Sequence, residues 1–153
     1  MNFRRVELQP AAGPGAAIRT WCGDRNTVPA ARTAPGSRTG RSHSLGIADA
    51  VTVLARTAAA ADVAATLIAN SVDANHPAIV RRPARDLDED SDLGVRLVTV
   101  DVGDIDSDAI ETALDAGERA VHKMRRDQLV EAAVLMLKGE IRVVGRASRA
   151  IAA

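Results

Sequence analysis

The sequence predicts an α+β fold in which helices pack on a largely antiparallel sheet, preceded by an irregular leader. Three observations point there. Apolar runs rich in β-branched residues alternate with segments of helical periodicity from Leu45 onward, and the chain ends in a hairpin pattern. The charge divides as well: residues 1–44 carry a net +5 and residues 45–153 a net −5, so the zero net charge of the 153-residue chain sums two unlike parts.

The leader, 1–39, holds Pro10, Pro14, Pro29 and Pro35, scattered arginines, Cys22 and both aromatics, Phe3 and Trp21. Without apolar periodicity such a segment does not bury enough surface to offset the cost of ordering its backbone, and it is expected to be irregular or disordered. A folded region is expected over 40–153. Its first strand is read over Leu45–Ala55. Thr57 can cap the helix that follows, because its hydroxyl can accept from a free amide of the first turn. That helix is expected to run to about Val72, with Pro77 unable to continue it. Residues 81–94, with Pro83 and the acidic run Asp86 to Asp92, read as a polar loop. Arg96–Val102 reads as the second strand, and Asp106 or Ser107 caps a second helix extending to about Arg126. Leu129–Leu137 and Ile141–Val144 then flank Lys138-Gly139-Glu140 as the two arms of a hairpin.

Composition excludes several function classes. Zero net charge removes the electrostatic argument for nucleic acid or an anionic membrane surface, and two aromatics at the amino end provide no base-stacking platform. A single cysteine rules out an intramolecular disulfide framework. His43, His76 and His122 are too dispersed to argue for zinc, and the acidic run lacks the glycine and terminal glutamate of a calcium loop. No targeting signal or membrane-spanning run is visible, so the expectation is a cytoplasmic protein.

The most informative chemistry lies on the first helix. Helical spacing puts Asp62, Thr66, Ala69, Asn70 and Asp73 on one narrow polar stripe of an otherwise apolar helix. A carboxylate and a hydroxyl one turn apart either help to hold a hard cation together with phosphate oxygens, or simply face water.

The run Gly40-Arg41-Ser42-His43-Ser44-Leu45-Gly46-Ile47-Ala48-Asp49-Ala50-Val51-Thr52-Val53-Leu54-Ala55, followed by Ala61-Asp62-Val63-Ala64-Ala65-Thr66, resembles the C-terminal half of the ApbE superfamily of FAD:protein FMN transferases. The nearer likeness is to an uncharacterised branch of that superfamily, through Pro77, Asp90-Ser91-Asp92-Leu93-Gly94 and Arg96-Leu97-Val98-Thr99-Val100. The resemblance implies a magnesium ion held by Asp62 and Thr66 on the pyrophosphate of FAD, with Asn70 a further cofactor contact. It also implies a site role for His43 and Asp49, and transfer of FMN to a Thr or Ser hydroxyl of a target protein. A divalent ion there would screen phosphate charge as the bond breaks.

The chain departs from that pattern: His43 is followed by Ser44-Leu45-Gly46, with no Asp-Pro and no Thr-Gly, and the family's N-terminal half has no counterpart. Three functions compete on this basis. One is a truncated or frame-shifted member whose full-length relatives bind a flavin nucleotide with a divalent metal, the second an active transferase, and the third a structural remnant. A half-domain would expose strand edges and apolar faces, which predicts a homodimer through a sheet edge.

Overall fold

The computed structural model describes residues 28–33 and 43–145. It has six strands and two helices in that range: β1 (Val28–Thr33), β2 (Ala50–Ala55), α1 (Ala58–Ser71), β3 (Ile79–Pro83), β4 (Leu97–Val102), α2 (Ser107–Arg126), β5 (Ala132–Leu137) and β6 (Glu140–Gly145). The α+β class and the antiparallel pairing are as the sequence predicts. The strands form two sheets: four strands in the order β1-β2-β5-β6, and a separate ribbon of β3 and β4.

Both helices begin where their caps predict. Thr57 Oγ1 accepts from the N–H of Ala60 at 3.2 Å, and an Asp106 carboxylate oxygen accepts from that of Ala109 at 2.8 Å. α1 covers β1 and β2, α2 covers β5 and β6, and the helices touch each other. Between them and the sheet lies the core. Val51, Val53 and Ala55 of β2 and Leu135 and Leu137 of β5 meet Ala61, Ala65 and Ile68 of α1 and Leu114 and Val121 of α2. The alanines of α1 bring its backbone close to the sheet, so a helix poor in large side chains still buries one face.

Four expectations are corrected. A strand, β1, lies inside the segment expected to be irregular; it pairs antiparallel with β2, Val28 opposite Ala55. The rest of 1–39 lies outside the described residues. The first predicted strand starts late, because Leu45 and Ile47 spend their N–H groups on α1: Ile47 donates to Val72 O at 2.8 Å and Leu45 to Asn70 Oδ1 at 3.1 Å. Residues 81–94 are not all loop, since β3 pairs with β4 through Pro83 opposite Leu97, with a bulge between Val80 and Arg81. Proline is tolerated because it ends β3, which has only β4 as a neighbour among the described strands. The strands also do not share one sheet: the ribbon joins the rest through a bridge from Ser44 to Thr99, whose N–H donates to Ser44 O at 2.9 Å.

Candidate functional site

The polar stripe of α1 is real as a line of residues but does not converge on one point. Asp62 is exposed, and its carboxylate has no bonding partner among the described residues. Thr66, one turn on, donates its hydroxyl proton to the carbonyl of Asp62 at 3.0 Å, the ordinary back-bond of a threonine inside a helix. Asn70 is turned to a different task. Its Oδ1 accepts from Leu45 N and from Ser44 Oγ, the latter at 3.3 Å, and so holds the approach to β2 against the end of α1.

Gly46 is required at this junction, because a Cβ there would collide with the carbonyls of Ala69 and Val72. Farther along, Asp73 is half-buried and bonded to Arg81 of β3. Loss of solvent raises its carboxyl above the ordinary value of 3.8, more strongly than the Arg81 guanidinium lowers it.

Asp49 and His43 lie apart from the stripe in their bonding. Asp49 accepts from the N–H of Lys138 at 2.5 Å, and its own N–H donates to Met136 O at 2.9 Å. Its carboxylate therefore closes the β5–β6 turn. His43 is half-buried and makes no hydrogen bond with another described residue. Among the described residues no group of three or more His, Cys, Asp or Glu is placed to hold a metal ion, and no helix is long and apolar enough to cross a membrane.

Two features escape a reading of the sequence by motif. On α2, Asp115 and Glu118 both accept from Arg142 Nη1 of β6, the Glu118 contact at 3.0 Å, and Glu118 meets His122 Nε2 at 3.2 Å. These two carboxylates hold the Arg142 guanidinium above its ordinary value. Their spacing of three on one helix face is the available signal, but the arginine lies 24 and 27 residues away.

The second feature is the sheet face turned away from the helices. Thr52 stands opposite Val134, which stands opposite Val143, and Met136 stands opposite Ile141. Thr52 and Val134 are buried at 3 % and 1 % exposure, and the Thr52 hydroxyl is enclosed with no partner. Leu54, Met136 and Val143 are half-buried, while Ile141 is exposed. None of these side chains is charged, although an antiparallel sheet with one wet face alternates apolar with polar residues. The signal was legible as Val-Thr-Val-Leu-Ala and Ala-Ala-Val-Leu-Met-Leu, runs that are apolar on both sides of the pleat.

No curated protein and no solved structure matches the chain. A family model does match, over residues 22–143, and it is described as AbpE bacteria. That is not an ApbE-like flavin transferase family, so the kinship suggested by the Gly40-to-Ala55 and Ala61-to-Thr66 runs is corrected. The match also begins inside the segment expected to be a leader. With most of its length covered, the chain belongs to the AbpE bacteria family.

Proposed function

We infer that this protein is an assembly module: the face of its four-stranded sheet away from the helices seats a further layer of polypeptide. One observation carries this. No charged side chain stands on the second face of β2, β5 and β6, and there Leu54, Met136 and Val143 are only half-buried and Ile141 is exposed. Two sheets stacked face to face lie about 10 Å apart, a gap that side chains the size of Leu54, Met136 and Val143 fill.

The test is Met136→Lys in the full chain, followed by thermal melting. Met136 sits on that second face, half-buried between Ala50 and Ile141. A seated layer makes the substitution cost about 2 kcal/mol or more, because an ammonium is then taken out of water. A solvated face makes it neutral to within about 0.5 kcal/mol, which sinks the assembly role. The same melts, run with FAD and magnesium, address the flavin and metal expectation for Asp62, Thr66 and Asn70. A ligand specific for the folded state must raise the melting temperature, whereas the assembly role predicts no change.

A further inference from the structure

The outer side of α2 carries a second inference, independent of the apolar face because it lies on the opposite side of the sheet and rests on charge. Ala113, Leu114, Gly117 and Val121 are buried, which turns the other side of the helix to solvent. At about 100° per residue, Asp108, Asp115, Arg119 and Arg126 fall within about 40° of one another on the midline of that side, with Glu111 and Lys123 on its two flanks. The intervals between these six residues are three, four, four, four and three, and the first three are acidic and the last three basic. The row therefore reads alike in both directions about Gly117, except that every sign is reversed.

A helix alone in water is poorly served by this order. Residues three or four apart are neighbours on a helix surface, and like charges there are destabilising. The row sets like charges at that spacing four times: Asp108 with Glu111, Glu111 with Asp115, Arg119 with Lys123, and Lys123 with Arg126. Its one opposite pair is Asp115 with Arg119, yet Asp115 is bonded to Arg142 of β6 instead. The helix dipole favours acid in the first turn and base in the last, but it fades within a turn, and Asp115 and Arg119 lie about two turns from either end. Asp108, Glu111, Arg119, Lys123 and Arg126 are exposed and have no bonding partner among the described residues.

A second copy of the helix, laid antiparallel, supplies the missing signs. A twofold axis at the level of Gly117 sets Asp108 against Arg126 of the partner subunit and Asp115 against Arg119 of the partner subunit, each twice by symmetry. Only Oδ1 of Asp115 is engaged by Arg142, so Oδ2 faces the new partner. Glu111 and Lys123, on the flanks, strengthen the fields of the acidic and basic halves. The two helices overlap along the whole of 108–126, about 27 Å, whereas a parallel arrangement would set like charge against like throughout. We propose that two copies of this chain associate through the outer side of α2, antiparallel about a twofold axis at Gly117, by complementarity of charge.

Sedimentation equilibrium on the full chain tests the pairing at about 20 mM and about 0.5 M salt, since exposed charges are screened at the higher value. Wild type sediments as a dimer at low salt and dissociates at high salt. Asp108→Arg and Arg126→Asp, at exposed positions without partners, each set two like-charged pairs across the axis and weaken the dimer at least about tenfold, with the helix content seen by circular dichroism unchanged. Mixed in equal amounts, the two variants restore every opposite pair and associate as tightly as wild type, which a role within one chain would not produce. A wild type that is monomeric at low salt, a dimer indifferent to salt, a single variant that pairs as tightly as wild type, or a mixture that stays apart overturns the proposal. Association is read here and melting temperature for Met136→Lys, so the helix side and the apolar face can fail separately.

Discussion

Asp73 sits between the end of α1 and the start of β3, half-buried, its carboxylate bonded to Arg81. Burial outweighs the arginine and raises its pKa above 3.8. Between 3.8 and the raised value the folded chain holds a proton that the unfolded chain has released, so this group's contribution to stability falls as pH rises through that window. Asp73→Asn cannot titrate. Melting temperatures from pH 3 upward are therefore expected to show wild type losing ground to the variant across the window, and parallel curves would refute the coupling. Residues whose partners are local were legible beforehand: Thr57 and Asp106 reach amides three positions on. Asn70 and Asp49 were not, because their partners lie 25 and 89 positions away, and chain distance carries no signal for such bonds. Both side chains carry bonds that join elements.

At the level of the element, α2 shows how packing overrides propensity. Gly117 lies in mid-helix, where alanine would ordinarily be better by about 1 kcal/mol. Here a Cβ would collide with side-chain methyls of Val72 and Leu135, both fully enclosed, so neither has room to withdraw. Gly117→Ala is accordingly expected to destabilise by about 1–2 kcal/mol in urea unfolding, and a stabilised variant would show that the helix can move off the sheet. The helices were legible from period and caps. β3 was not, because Arg81-Arg82-Pro83 has neither the alternation nor the composition of a strand, and only pairing with β4 makes it one. The hairpin of β5 and β6 was legible because Lys138-Gly139-Glu140, a short polar break with a glycine, separates two apolar runs.

For the whole molecule, the α+β class followed from the order of periodicities, but the division into two sheets did not. Sequence order says which strands exist; it does not say that β3 and β4 pair with each other and, among the described strands, with no other. That division has a consequence for how the molecule opens. The β3–β4 ribbon makes its extensive contacts within itself and is tied to the body by three polar tethers, Thr99 to Ser44, Lys138 Nζ to Val102 O at 2.7 Å and Arg81 to Asp73, and by two apolar anchors at one end, Ile79 and Val102. Two-stranded ribbons are marginal on their own, and regions with few apolar anchors open at lower free energy than the core. In native-state hydrogen exchange the amides of β3 and β4 should therefore exchange as one cooperative group, well before those of β2 and β5. Exchange of all four strands together would mean that the tethers bind as firmly as the core. If the ribbon does lead, the first opening of the chain leaves β2, β5 and the helices folded.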